Sequence, residues 1–282
     1  MQRGIASRTA DRVAQRRAAH QLLDVPPVFV DPLAFRILEP EDAERITTEP
    51  GMLDRVRAGG FLRAFLSVRS RFAEDVLATA ASQGVTQYVL LGAGFDTFAY
   101  RNPFDAVHVF EIDHPATQAE KRRRVEARGI PVPSNVTYIA ADLGEVSIRE
   151  ALAESSFDFT ARAVFAWLGV VPYLELTAVE ATLRAIASLP TGTSVAFDYG
   201  IPRSELSFLG RLAFDMIAQR VAAAGEPWKT FFHPAELQEL LLDVGFHHIE
   251  DLSGDDINER YFAKRADGLH VGEGGHLVHA GV

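Results

Sequence analysis

The 282-residue sequence predicts an α/β fold: a mostly parallel seven-stranded sheet with helices on both faces. Three observations carry that reading. Tyr88, Val89, Leu90 and Leu91 form a continuous apolar run rather than an alternating one, which suits a parallel strand covered on both faces. The run stops at Gly92 and Gly94, which let the backbone turn sharply and approach a ligand closely. Strand and helix patterns then alternate along the chain, as right-handed crossovers between parallel strands require. The glycine turn therefore falls at the carboxyl edge of the sheet, where open α/β folds bind ligands.

In chain order, residues 5–23 read as an amphipathic helix carrying Arg8, Arg12, Arg16 and Arg17, mostly toward solvent, and ending before Pro26 and Pro27. Residues 31–38, DPLAFRIL, read as a short helix with Asp31 as cap and Pro32 in the first turn. A polar, Pro-containing stretch reaches Gly60. A long helix follows over 61–82, where Phe61, Leu62, Phe65, Leu66, Phe72, Val76 and Leu77 fall on one face. Beyond the glycine turn, residues 107–112 form the second strand, with acids Glu111 and Asp113 at its end. A helix opens at His114-Pro115 and stops at Gly129; its basic run from Lys121 to Arg124 reads as a solvated face rather than a phosphate site. Residues 135–141 and 162–168 are the third and fourth strands, 176–189 a helix, and 194–199 the fifth strand. Helices over 204–224 and 233–244 precede strands at 246–252 and 276–280, with an antiparallel strand expected near the C-terminus. The expected organisation is an N-terminal helical cap over 1–60 and a core over 61–282, with a cap insertion at about 201–232.

Composition narrows the function classes. The 28 Lys+Arg against 38 Asp+Glu give a net charge of -10, which disfavours broad contact with nucleic acid or anionic membrane. Cysteine is absent, which excludes disulfides, thiolate metal sites and cysteine nucleophiles. No run approaches the roughly 20 apolar residues of a membrane span, and the N-terminal stretch lacks the apolar segment of a secretion signal. A soluble cytoplasmic protein is expected. His247, His248, His270, His276 and His279 have no convergent acid cluster, so no metal site is expected.

Three strand ends carry a constellation: Gly92 and Gly94 after the first, Asp113 after the second, Asp142 after the third. Asp113 lies 19 positions after Gly94, close to the spacing at which an acid accepts hydrogen bonds from ribose hydroxyls. Asp142 can accept from an adenine amino group or cap the next helix. Arg69 can bind a carboxylate bidentately. A dinucleotide fingerprint would place a third glycine where this chain has Thr97, which argues against a nicotinamide enzyme. Adenine, ribose and a carboxylate together describe S-adenosylmethionine better than a nucleotide phosphate.

With those residues in view, the chain resembles the leucine carboxyl methyltransferase-like O-methyltransferases, over nearly its whole length. The specific motifs are LGAGFDTFAYR (91–101) and FEIDHPATQAEKRRR (110–124). SRTA (7–10), RAA (17–19), DPLA (31–34), RSRF (69–72), ADL (141–143), VPYL (171–174), FDYG (197–200), GEPWKTFFHPAEL (225–237) and RYFAKRADGL (260–269) accompany them. The resemblance implies a Rossmann-like class I methyltransferase with S-adenosyl-L-methionine as cofactor. It implies that Arg69 holds the methionine carboxylate, that Gly92, Ala93 and Gly94 line the methionine and ribose, that Asp113 binds ribose and that Asp142 and Leu143 contact adenine. One departure stands out: the family has an acid before the glycine of its E-G-x-x-P-Y-L stretch, and this chain has Leu168 before Gly169.

Methyl transfer is an in-line displacement, so placement can supply much of the catalysis, roughly 7 to 11 kcal/mol in favourable cases. No catalytic base is assigned. The expected acceptor is a carboxylate or hydroxyl of a small metabolite, in secondary metabolism. Tyr173, Tyr199, Trp228, Phe231 and His233 are the candidates to line its pocket, although aromatic residues are more often core than recognition elements and simple capping also accounts for His233. The apolar residues at 208–217 suit an apolar acceptor, the core or a homodimer partner alike. The alternative reading, motivated by Leu168, is a regulatory member that binds cofactor and turns over weakly.

Overall fold

The structure, a computed structural model, describes residues 7–54 and 59–282. Residues 5 and 6 of the first expected helix, and residues 1–6 and 55–58 of the expected N-terminal cap, lie outside them. Among the described residues there are seven strands: β1 (Gln87–Leu91), β2 (His108–Asp113), β3 (Val136–Ala140), β4 (Val164–Trp167), β5 (Ser194–Gly200), β6 (His248–Leu252) and β7 (Gly275–Gly281). They form one sheet in the order β3-β2-β1-β4-β5-β7-β6. Only β7 runs antiparallel, against both β5 and β6. The unbroken apolar run has the expected consequence, because every residue of β1 and of β4 is buried.

The helices are α1 (Arg8–Leu23), α2 (Pro40–Thr48), α3 (Gly59–Ser82), α4 (Pro115–Ala127), α5 (Ile148–Ala153), α6 (Leu176–Ala187), α7 (Phe208–Ala223), α8 (Pro234–Val244) and α9 (Gly254–Ile257). Side chains alternate along each strand and so serve two cores. Val195, Phe197 and Tyr199 of β5 pack with α5, α6 and α8 on one face, while Ala196 joins the α3 core on the other. A third cluster joins α1, α2 and Val125 of α4 beneath Phe95. Among the described residues, no helix is long and apolar enough to cross a membrane.

Several local expectations are corrected. Residues 31–38 form successive turns rather than a helix. Asp31 is no free cap: its carboxylate accepts from the Leu33 amide, Arg17 and Thr97, which fixes a local turn instead. The helix lies further on, at α2, where Pro40 takes a first-turn position and Glu41 and Asp42 face the positive end of the dipole. The short helices α5 and α9 escaped the periodicity reading; their signals are the capping boxes Ser147/Glu150 and Ser253/Asp256. Arg16 and Arg17 are buried rather than solvent-facing. Within the basic run of α4, Lys121 and Arg124 are buried too. Lys121 pairs with Glu111 at 2.6 Å, and Arg124 pairs with Asp11 at 2.8 Å while lying over the Phe95 ring. These cations glue α4 to the sheet and to α1 instead of facing water.

One such group makes stability depend on pH. At the end of α1, Asp24 receives Arg63 Nε and Nη2 at 2.8 and 2.9 Å and lies 2.5 Å from His20 Nδ1. Burial alone would raise the Asp24 carboxyl, but the hydrogen bonds from His20 and Arg63 outweigh it and lower it to about 2. The unfolded carboxyl titrates at about 3.9, so this stabilisation is complete above that range and is lost as pH falls through about 2. Urea titrations at successive pH values should show wild type losing on the order of 2 kcal/mol more than Asp24→Asn across that window. Parallel curves would show that Asp24 contributes nothing of the kind.

Candidate cofactor site

A cavity of about 410 Å³ opens beside β1 and β4, the strands between which the sheet order reverses. Open α/β sheets bind ligands at this switch point because the crossovers leave to opposite sides and the loops part. The turn after β1 supplies Gly92, Ala93 and Gly94 to its wall, the end of β2 Asp113, the loop after β3 Asp142 and Leu143, and α3 Arg69. The structure thus brings all seven expected cofactor-contact residues to one cavity. Its volume falls within the range of small-molecule sites.

The turn is built for close approach. Gly92 has φ 68°, and a Cβ there would meet Val170 Cγ2 at 2.5 Å, so no other residue fits between the β1 and β4 ends. Asp113 is locked behind the turn: one carboxylate oxygen accepts from the Gly94 amide and the other from the His114 amide at 2.6 Å. Burial raises the Asp113 carboxyl above its ordinary value, against the lowering effect of those two amides. Asp142 is more open. It accepts from the Gly144 amide at 2.9 Å, and its other oxygen lies 4.0 Å from His114 Nε2. It therefore holds its own loop rather than capping a following helix.

Of the candidates for the acceptor side, Tyr173 lines the cavity, whereas Tyr199, Trp228 and His233 do not. Tyr199 points to the opposite side of the sheet, where its hydroxyl donates to Asp251 at 2.6 Å and lies 3.1 Å from His276 Nδ1. Strand alternation explains this, since the neighbouring Asp198 takes the α3 side. His233 precedes α8 without a capping bond and pairs with Glu205. Trp228 packs with Phe214 and Phe231, at ring-centroid distances of 5.3 and 6.1 Å.

Two contributors lie outside the contact residues expected from the sequence, although the N-terminal helices were expected to form a cap. The first is α1, whose Ala10, Val13, Ala14 and Arg17 form one wall. Ser7 caps this helix, and Glu226 reaches across the cavity rim to accept from Ser7 Oγ and the Thr9 amide, both at 3.3 Å. The SRTA and GEPW motifs were the available signal. The second is Asp198, which accepts from Arg69 Nη1 at 3.2 Å and from the Gly169 amide at 2.5 Å.

Comparison with known proteins identifies the family and the fold. The leucine carboxyl methyltransferase family model matches residues 10–187. The chain belongs to that family. YktD of Bacillus subtilis (strain 168), named as an S-adenosyl-L-methionine-dependent methyltransferase, is 30% identical over 99% of this family member and 99% of its own length. A Mycobacteroides abscessus protein of the same designation is 32% identical, covering 71% of this chain and 67% of its own. Among solved structures, a DUF574-family protein of Streptomyces avermitilis MA-4680 superimposes with a TM-score of 0.58 at 15% identity, covering 98% and 97% of the two chains. A Thermobifida fusca YX protein named as a methyltransferase does so with a TM-score of 0.58 at 14% identity, covering 99% and 96%. The fold is the Rossmann-like class I methyltransferase fold, with helices on both faces of the sheet.

Proposed function

We propose that this methyltransferase carries the methyl group of S-adenosylmethionine to a carboxylate or hydroxyl oxygen of a small metabolite, in secondary metabolism. The observation that carries the reading is the presence of Arg69 and Asp113 in one cavity at the β1/β4 switch. The donor set fits the cofactor: a buried carboxylate for ribose, a cation for the methionine carboxylate, and a turn with Thr97 where a pyrophosphate-binding loop would have its third glycine.

Bound cofactor supplies a methyl group on a positively charged sulfur, which needs no further activation. The chain's contribution is placement and dryness. Asp113 would hold the ribose, Arg69 the carboxylate, and Asp142 with Leu143 the adenine. Ala10, Val13, Val170 and Leu174 offer apolar walls that exclude water. Burial raises the Tyr173 phenol above its ordinary value, so it stays protonated near neutral pH and acts as a hydrogen-bond donor, not a base. An acceptor carboxylate, with a pKa near ~4, is ionised without one. The N-terminal segment, with α1 latched by Glu226, together with residues 201–232 forms the cap over this edge.

Calorimetry with S-adenosylhomocysteine, followed by product detection with isotope-labelled cofactor over a panel of carboxylic acids and phenols, tests the proposal. Tight S-adenosylhomocysteine binding, weaker dinucleotide binding and label on an acceptor oxygen are expected; a folded sample that ignores S-adenosylhomocysteine would refute it. Leu168, which lines the cavity where the family has an acid, favours a second reading of binding without turnover. A labelled product removes that alternative.

A further inference from the structure

Asp198 sits inside β5, is 4% exposed, and stands behind the cavity wall rather than in it. Its two oxygens engage separate elements. Oδ2 accepts from Arg69 Nη1 of α3 at 3.2 Å, and Oδ1 accepts from the Gly169 amide beyond β4 at 2.5 Å. A single buried carboxylate thereby ties α3, β5 and the β4 turn together at the point where they meet the cavity. The third contact is steric. Gly169 has φ 70°, and a Cβ there would lie 2.6, 2.7 and 2.9 Å from Nη2, Nη1 and Cζ of Arg69, so the guanidinium rests directly on the glycine. Leu168, next to it in the wall, offers no charge to hold that cation.

We infer that Asp198 is a positioning residue for the amino-acid end of the cofactor, acting through Arg69 and the Gly169 turn. The inference rests on the reading of Arg69 as the carboxylate-binding cation. Arg69 has five N–H donors in a rigid fork, and a fork recognises a carboxylate well only when its plane is fixed. Asp198 holds Nη1 from behind and the glycine holds the plane from one side, so the rest of the fork is aimed before ligand arrives. Preorganisation of this kind saves the ordering cost of binding. Asp198 also keeps the Arg69 charge compensated in the absence of ligand, where a buried lone cation would be costly.

The test uses two ligands that differ only where Arg69 acts. S-Adenosylhomocysteine has an amino-acid end, whereas 5′-methylthioadenosine keeps adenine, ribose and sulfur without it. Asp198→Asn preserves size and an acceptor for the Gly169 amide. It should weaken S-adenosylhomocysteine about tenfold, or about 1.4 kcal/mol, and leave methylthioadenosine unchanged. In an Arg69→Met background the same substitution should cost nothing further. Equal loss for both ligands would show a merely structural role, and unchanged or tighter S-adenosylhomocysteine binding would show that Asp198 only competes for Arg69; either overturns the inference. Should the Asn variant melt early, Asp198→Glu replaces it: selective loss of S-adenosylhomocysteine is again expected, and full retention overturns. Wild type that binds neither ligand would remove the cofactor reading itself, a separate outcome from a wild type that binds both while Asp198→Asn has no selective effect.

Discussion

Replacing Asp113 by Ala is expected to weaken S-adenosylhomocysteine binding by about 10²- to 10³-fold, the largest loss of affinity from any one side chain in the site. A hydrogen bond to a charged group contributes about 1.5–3 kcal/mol, and a ribose presents two hydroxyls; at about 1.5–2 kcal/mol for each, about 3–4 kcal/mol is at stake at 1.4 kcal/mol per tenfold. A second loss adds to it. Asp113 accepts from the Gly94 and His114 amides, and its removal frees the turn that lines the same cavity. Asp113→Asn should fall between, at about tenfold, because it keeps one acceptor but turns an N–H toward one of the two amides. The pH dependence has a definite sign. Burial raises the Asp113 carboxyl, so affinity should decline as pH drops while still above the ordinary carboxylate range, and the Asn variant should be flat there. Calorimetry at several pH values checks both points; a loss under threefold in Asp113→Ala would place the ribose elsewhere.

What could be read from the sequence, and what could not, follows the range of the interactions involved. β1 and its turn were legible because both signals are local: an unbroken apolar run, then two glycines. Asp113 was legible through its distance from Gly94, one strand on in the same sheet. Asp198 was not. It lies in SVAFDYG beside Tyr199, and alternation says that the two face opposite sides without saying which side holds the cavity. Tyr199 was the wrong choice for that reason, and its partners Asp251 and His276 come from strands that pair only through the antiparallel C-terminal end. The helix expected at 31–38 failed to a similar cause. Pro and Asp at its start are good helix openers, yet the Asp31 carboxylate is taken by Arg17 and Thr97, 14 and 66 residues away. Local propensity was outweighed by long-range charge pairing.

That pairing makes Arg17→Ala the most destabilising single change expected, at about 3–5 kcal/mol, the cost of removing one partner from a buried ion group. Arg17 is 4% exposed and donates to Asp96 and Asp31, each at 2.8 Å. Although its own burial would lower the Arg17 pKa, those two carboxylates raise it, so the charge is held firmly. Asp31 also accepts from Thr97 at 2.8 Å, and Thr97 from Arg101 Nε at 3.0 Å; Arg101 pairs with Glu74 of α3, and both arginines lie about 5 Å over the Phe29 ring. The RAA, DPLA and DTFAYR motifs are therefore one structure, a charged clamp that fastens α1 and the 31–38 turns beneath the glycine loop. Truncating Arg17 leaves the Asp31 and Asp96 carboxylates without the cation they share. For a chain of this size a loss of about 4 kcal/mol corresponds to a melting temperature lower by roughly 10 °C. Arg17→Lys should recover only part, because a point charge cannot serve Asp31 and Asp96 together as a fork does. Asp96→Asn in the Arg17→Ala background should recover part as well, since it removes one stranded charge. Thermal melts of the four proteins decide the matter. A drop of under about 1 kcal/mol for Arg17→Ala, the size of an exposed ion pair, would mean that water rather than Arg17 satisfies these acids.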